Sequence, residues 1–259
     1  MSEEGHKRTW IFRPVSARCV TVGCVKGILC GLLLLLSPAA WAGDELASGK
    51  MADGTSVPYV LTTGGGTPAY ALILMPGGVG VLSPHLHNDG SVAFQNGDNF
   101  AVRVRGIFAE GPFVAATTDR TSTPDRILAI VADLQRRYPG VKIYVMGFSL
   151  STESTMALAK PLDGKVAGFV HSSSMNGVAS LDPRSLKSRH LIVVHKEDVC
   201  WRTNPSNGMA SNRRYGTPLI VMEGGRSVRV ECGPVAHHGY YGIERETVDK
   251  IKQWIIAGG

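Results

Sequence analysis

The feature that most constrains the fold is a regular alternation of short apolar runs and helical patterns from residue 67 onward. Strands are predicted at residues 70–75, 113–117, 141–146, 166–170, 190–195 and 219–222, and helices at 98–108, 124–139, 152–160 and 248–256. This alternation predicts βαβ units and a mostly parallel central sheet with helices on both faces. We therefore expect one α/β domain over residues 67–259, without a large cap domain. Residues 43–66 are expected to form an N-terminal extension with the first strand or strands.

The first 42 residues follow another pattern. Five basic residues precede a short apolar run at residues 28–36, and Ala40-Trp41-Ala42 comes after it. A basic region, a short apolar region and a small-x-small site are typical of a signal peptide. The apolar run is short for a bilayer span. We expect cleavage after Ala42, a secreted or periplasmic protein, and no stable membrane insertion after cleavage. An uncleaved membrane anchor is the alternative.

Charge and cysteine content limit the partners and the compartment. Residues 43–259 carry 22 Lys and Arg against 19 Asp and Glu, with no basic cluster interleaved with aromatics. We therefore predict no nucleic-acid partner. Of the five cysteines, only Cys200 and Cys232 lie beyond the leader. Two cysteines in an exported chain usually pair, which predicts a disulfide. Two free buried thiols are the alternative.

Ser149 is the candidate nucleophile. It lies in Gly147-Phe148-Ser149-Leu150-Ser151, between a predicted strand and a predicted helix. The pattern Gly-x-Ser-x-Gly forms a sharp turn that presents the serine hydroxyl above the carboxyl end of a strand. Ser151 replaces the last glycine but is also small. The alternative is a serine that only caps the helix.

A serine nucleophile needs a base, and the base needs an orienting acid. Glu197 and Asp198 follow the strand predicted at residues 190–195, and His237 and His238 follow the last predicted strand. The order serine, acid, histidine along the chain is that of the α/β-hydrolases.

With these motifs the sequence resembles the α/β-hydrolase superfamily, in particular its small exported esterase-like or dienelactone-hydrolase-like members. The resemblance covers about residues 67–258. It rests on the elbow at 147–151, the MPGGVG turn at 75–80, Asp198 after a strand, and HHGYYG at 237–242. It departs from dienelactone hydrolases, which usually have cysteine where this chain has Ser149.

The resemblance implies a role for each residue. Asp198 orients the base, because the acid in this family usually lies a few residues past the strand end. His238 is the base, because a small residue commonly follows it. Glu197 and His237 remain the alternatives.

Two backbone N–H groups are expected to form an oxyanion hole. One is that of Leu150, which follows the nucleophile. The other comes from the glycine-rich turn, where Gly78 is favoured and Val79 is next. A Cys200–Cys232 bridge would tie the acid loop to the base loop.

Other polar and aromatic residues near the expected site have plainer interpretations. His85, His87 and Asp89 could bind a metal, but no further ligand at suitable spacing supports this, and we predict neither metal nor cofactor. Those two histidines and His171 are instead expected to line the pocket or the surface. Tyr240 and Tyr241 either line the pocket or pack against the last helix, and packing is favoured.

These residues predict an exported serine hydrolase that cleaves a carboxylic ester of modest size through an acyl-enzyme. The alternatives are a non-catalytic small-molecule-binding protein of the same fold, and an acyltransferase or peptidase that uses the same triad. The substrate groups and the oligomeric state do not follow from the sequence.

Overall fold

The computed structural model of the protein describes residues 43–228 and 230–258; the predicted signal peptide lies outside these residues. The strands are β1 (Gly43–Lys50), β2 (Ser56–Thr63), β3 (Tyr70–Met75), β4 (His85–Leu86), β5 (Val92–Ala93), β6 (Phe113–Thr117), β7 (Lys142–Phe148), β8 (Gly168–Ser172), β9 (Arg189–His195) and β10 (Leu219–Met222). The α-helices are α1 (Phe100–Arg103), α2 (Arg105–Phe108), α3 (Pro124–Arg137), α4 (Ser151–Ala159), α5 (Pro205–Tyr215) and α6 (Glu244–Ile256). Two short 3₁₀ helices cover Asn176–Ser180 and His237–Gly239.

Eight strands form one sheet in the order β1-β2-β6-β3-β7-β8-β9-β10. Strands β6, β3, β7, β8, β9 and β10 are parallel, whereas β1 and β2 pair antiparallel at one side. The carboxyl ends of the parallel strands therefore meet at one edge of the sheet, where ligand sites form in folds of this kind. The predicted mostly parallel sheet is confirmed.

Each face of the sheet packs against its own helices because strand side chains alternate between faces. On β3, Ala71 and Ile73 belong to the core cluster that includes apolar residues of α3 and α4. Leu72 and Leu74 point the other way and belong to the cluster that includes residues of α1, α2 and α6. The predicted helical layers on both faces are confirmed, and within the described residues no domain-sized insertion covers the sheet edge.

Several elements differ from the sequence prediction. The helix predicted at residues 98–108 is two short helices separated at Val104. Helix α5 was not predicted, because its largely polar sequence has a weak apolar period, although Asn204 caps it and Pro205 opens it. Residues 43–66 contribute two full strands to the main sheet. Within the described part of the chain, no helix has the length and apolar character needed to cross a bilayer.

Candidate active site

Ser149 lies on a strained turn between β7 and α4. Its φ angle is +53°, in the left-handed region that a residue with a side chain enters at a cost of about 1 kcal/mol. The Ser149 N–H donates to the Ser172 carbonyl at 2.8 Å, which ties the turn to β8. A Cβ atom at Gly147 would lie 2.4 Å from the Ser151 carbonyl oxygen, so only glycine fits the start of the turn. The predicted elbow geometry is therefore present.

Ser151 has its own role in the turn. Its hydroxyl is buried and donates to the Pro76 carbonyl at 2.6 Å. Pro76 follows β3 and begins the glycine-rich turn. A glycine at position 151 could not make this bond. The departure from the Gly-x-Ser-x-Gly pattern thus connects the elbow directly to the turn expected to supply an oxyanion donor.

We expect Ser151→Gly to lower the free energy of unfolding by about 1–2 kcal/mol. The variant leaves the buried Pro76 carbonyl without its donor. Glycine also loses more backbone entropy than serine when α4 folds. Urea unfolding followed by circular dichroism measures this change, with Ser180→Ala, an exposed serine, as the control. Equal stability of Ser151→Gly and the unaltered protein would contradict a structural role for the bond.

Ser149, His238 and Asp198 form one hydrogen-bonded chain. His238 Nδ1 lies 2.9 Å from Asp198 Oδ2, and His238 Nε2 lies 3.0 Å from Ser149 Oγ. The carboxylate can only accept, so Nδ1 carries the proton and Nε2 accepts from the serine hydroxyl. Both His238 and Asp198 are buried. The three residues chosen from the sequence thus have the geometry that activates a serine.

A compact turn holds both oxygens of Asp198. The Cys200 N–H donates to Oδ1 at 3.0 Å, and the Thr203 hydroxyl donates to Oδ2 at 2.9 Å. Thr203 Oγ1 is also 3.1 Å from His238 Nδ1. Thr203 was not among the residues predicted from the sequence, because a threonine five residues past an acid has no distinguishing pattern. Its contacts with Asp198 and His238 form only when the chain folds.

The His238 loop is held by the ends of β8 and β9. The Ser173 hydroxyl donates to the His238 carbonyl at 2.6 Å. Tyr240 donates to the Val193 carbonyl at 3.0 Å and accepts from Ser173 N–H at 2.9 Å. Burial raises the pKa of Tyr240 to about 12, so its hydroxyl remains a donor. Tyr240 is therefore a buried packing residue. A Cβ at Gly239 would lie 2.0 Å from the Pro234 carbonyl oxygen, which explains the small residue after His238.

Of the two expected oxyanion donors, Leu150 lies within the elbow and Gly78 in the glycine-rich turn after β3. Leu150 caps the start of α4, whose positive end faces this region. Gly78 has a φ angle of +62°, and Arg120 donates to its carbonyl at 3.0 Å. Among the described residues, neither the Leu150 N–H nor the Gly78 N–H has a hydrogen-bond partner. Their role in oxyanion binding stays a prediction.

A cavity of about 530 Å³ opens over Ser149. Ser149, His238, Gly78 and Val79 line it, together with both cysteines of the Cys200–Cys232 disulfide. The disulfide joins the acid loop to the segment that precedes His238, as predicted. The cavity is large enough for a small organic molecule.

The two alternatives for acid and base lie outside the hydrogen-bonded chain. Glu197 is exposed, and its carboxylate is 3.8 Å from His237 Nε2. The His237 ring stacks on His195 at a centroid distance of 4.6 Å. Neither residue contacts Ser149 or His238 through a side-chain hydrogen bond within the described residues.

Among the residues that the structure describes, two groups of possible metal ligands lie near the site, but their chemistry does not suit a metal. In the first, His195 Nε2 donates to the Gly224 carbonyl and Nδ1 accepts from the Glu197 N–H, so both ring nitrogens are occupied. Burial lowers the pKa of His195, which favours this neutral form. In the second, the Cys200 sulfur is in the disulfide. His85 and His87 lie on the exposed β4–β5 hairpin and its turn.

His171 lies in the core and lines neither the cavity nor the surface, so both interpretations from the sequence were wrong for this residue. Its Nδ1 donates to Thr155 Oγ1 at 2.8 Å, since that hydroxyl itself donates to the Thr152 carbonyl. His171 Nε2 then accepts from His190 Nδ1 at 3.1 Å. This leaves the buried His190 Nε2 without a partner among the described residues. Burial lowers the pKa of His190 to about 4.

The buried His171–His190 pair predicts that the protein loses stability in acid. The folded state resists protonation of His190 down to about pH 4, whereas the unfolded chain takes up the proton near pH 6.5. The stabilisation that the folded state gains from keeping His190 neutral is complete above pH 6.5 and is lost as the pH falls from 6.5 toward 4. We expect the free energy of unfolding to fall by about 2 kcal/mol more between pH 7 and 4.5 in the unaltered protein than in His190→Gln. Urea unfolding at both pH values measures this difference, and His87→Gln, on the exposed turn, is the control. The same pH dependence in all three proteins would contradict the assignment.

No family model matches the sequence, and no curated protein shows significant sequence similarity to it. Solved structures do match. Est1E from Butyrivibrio proteoclasticus is 14% identical with a TM-score of 0.56, over 84% of this chain and 99% of that one. An α/β serine hydrolase without a lid from Xanthomonas campestris is 11% identical with a TM-score of 0.53, over 83% and 97%.

A third match is a cold-adapted esterase from an Arctic intertidal metagenomic library. It is 15% identical with a TM-score of 0.53, over 81% of this chain and 93% of that one. These identities are too low to carry an activity from one protein to another, but the alignments cover nearly the whole length of each neighbour. Together with the strand order and the elbow after β7, they show that this chain has the α/β-hydrolase fold.

Proposed function

We propose that the chain is an exported serine hydrolase that cleaves a carboxylic ester through Ser149, His238 and Asp198. The observation that carries the proposal is the hydrogen-bonded chain from Ser149 Oγ to His238 Nε2 and from His238 Nδ1 to Asp198 Oδ2, at 3.0 and 2.9 Å. A serine hydroxyl becomes a useful nucleophile only when a base in this position accepts its proton. The strained backbone at Ser149 supports the proposal, because such strain concentrates at functional sites.

The reaction follows from this geometry. Ser149 Oγ attacks the ester carbonyl carbon while its proton moves to His238 Nε2, and Asp198 stabilises the imidazolium. The N–H groups of Leu150 and Gly78 would stabilise the negative charge on the carbonyl oxygen. His238 then protonates the leaving alcohol, and an acyl-Ser149 ester remains. Water, deprotonated by His238, attacks this ester and releases the carboxylic acid.

Export is supported by the leader pattern in residues 1–42 and by the disulfide. Structural disulfides persist in oxidising compartments such as the periplasm or the medium. Cys200–Cys232 joins the two loops that hold Asp198 and His238, so its loss in a reducing compartment would loosen the site.

Labelling with a fluorophosphonate tests the nucleophile directly. The protein spanning residues 43–259 is treated with the reagent and analysed by intact mass and peptide mapping. We expect a single adduct on Ser149 that is absent from His238→Ala, because the reagent reacts with activated serines. Folded, disulfide-bonded protein without an adduct would contradict the proposal and favour the non-catalytic binding protein. Adding an alcohol during ester turnover and measuring the products distinguishes a hydrolase from an acyltransferase. Only an acyltransferase would transfer most of the acyl group to the alcohol and form a new ester.

A further inference from the structure

Exposed apolar side chains concentrate at the edge of the sheet that carries Ser149. Eight large apolar residues are exposed in the described part of the chain, and seven lie in segments that follow the carboxyl ends of β3, β9 and β10: Val79, Val81, Leu86, Val199, Trp201, Val228 and Val230. The eighth, Ile256, ends α6 beside Arg189, at the opposite edge of the sheet. Single exposed apolar residues are ordinary, but such a grouping marks an interaction surface.

Five of these residues form what we call the apolar rim: Val79, Val199, Trp201, Val228 and Val230. Part of the rim adjoins the cavity over Ser149. Val79 lines that cavity, and Trp201 stands between Cys200 and Arg202, which also line it. Trp201 and Val230 are each 75% exposed, so the rim projects into solvent.

A second cavity extends the apolar surface beside the first. It has a volume of about 430 Å³ and is lined by Val228 and Val230, with Val235 and Tyr241. The two cavities share Asp98 and Pro234 in their walls. An occupant that reaches the nucleophile can therefore extend an apolar part across the second cavity.

The loops that carry the rim are fixed to the body of the protein. The disulfide joins the Trp201 loop to the Val230 loop through Cys200 and Cys232. Asn176 Nδ2 donates to the Trp201 carbonyl at 3.0 Å, and the Asn176 N–H donates to the Arg202 carbonyl at 2.9 Å. The rim is thus held in an exposed arrangement, and preorganised surfaces lose less entropy on binding.

From these observations we propose that the apolar rim docks the enzyme on the surface of a water-insoluble ester, from which one ester group enters the cavity. This inference rests on the proposed function and names its substrate class. A small soluble ester would fit within the 530 Å³ cavity and leave the rim in water. An apolar ester phase covers the rim and at the same time presents a carbonyl to Ser149.

The test compares dissolved and dispersed substrate. Rates are measured on dissolved p-nitrophenyl acetate and on emulsified tributyrin, for the unaltered protein and for a Val199→Ser, Trp201→Ser double variant. We expect the ratio of emulsion rate to dissolved-ester rate to fall about tenfold in the variant. Ile256→Ser removes a similarly exposed side chain from the opposite edge and should leave the ratio unchanged. An unchanged ratio in the rim variant would overturn the proposal. Val230→Ser, on the other loop, replaces the double variant if that protein does not fold.

Adsorption separates this proposal from the proposed function. Ser149→Ala protein is mixed with tributyrin droplets and sedimented, with and without the rim substitutions. If Ser149→Ala protein adsorbs to the droplets and the rim substitutions abolish this adsorption, the result supports the docking surface independently of turnover. Intact hydrolysis of the dissolved ester without adsorption would overturn the rim proposal alone. Failure to hydrolyse either ester, with no Ser149 adduct, would overturn the proposed function. A dimer in sedimentation equilibrium that the rim variant dissociates would assign the rim to a second copy and overturn docking on an ester.

Discussion

Alanine at position 149 is expected to lower kcat/KM for a dissolved ester by about 10⁵–10⁶-fold. The hydroxyl is the attacking atom in the proposed reaction, and water held near His238 is a poor substitute. The fold should persist, because the only side-chain hydrogen bond of Ser149 within the described residues is the one to His238. Initial rates on p-nitrophenyl acetate, with thermal unfolding as the check on folding, measure this effect.

Ser180→Ala is the matched control, because Ser180 is an exposed serine on a 3₁₀ helix away from the elbow. Its activity should equal that of the unaltered protein. Hydrolysis by Ser149→Ala at the unaltered rate would exclude the elbow serine as the nucleophile.

Asparagine at position 198 is expected to lower kcat by about 10⁴-fold with little change in KM. Asp198 Oδ2 accepts from His238 Nδ1–H, so Nε2 is left free to receive the serine proton. An amide can instead donate to Nδ1, which stabilises the wrong tautomer. The Cys200 N–H supports this expectation, because it can only donate and so favours the amide oxygen at the Oδ1 position, which turns the NH2 group toward His238 Nδ1. Steady-state rates on the same ester provide the measurement.

Glu197→Gln and His237→Gln are the controls for acid and base, since these neighbours were the alternatives from the sequence. Both side chains lie outside the Ser149–His238–Asp198 chain, so their substitution should change kcat less than threefold. A larger loss in Glu197→Gln than in Asp198→Asn would reassign the orienting acid.

Local patterns were sufficient for much of the fold. The strands and helices that bury one strong apolar face were predicted to within a few residues, because side-chain period and capping residues act over short distances. Helix α5 was missed because a polar helix with Gly208 lacks such a face, although it packs beside Ile192 and Val194. The break at Val104 was missed for a related reason, since apolar spacing does not reveal where a helix bends.

At the site, too, local patterns revealed some features and not others. The sequence by itself determined the elbow, the order of serine, acid and histidine, and the two cysteines that pair, because each is encoded in a short motif or in a count. Only the tertiary structure decided that Ser151 bonds Pro76, that Thr203 holds Asp198, that His171 belongs to the core, and that part of the apolar rim lies beside the cavity. Apart from the bond between Thr203 and Asp198, which are only five residues apart, these relations join segments that are distant in the chain. Side-chain contacts of that kind depend on how the strand ends are brought together, and no local pattern records them.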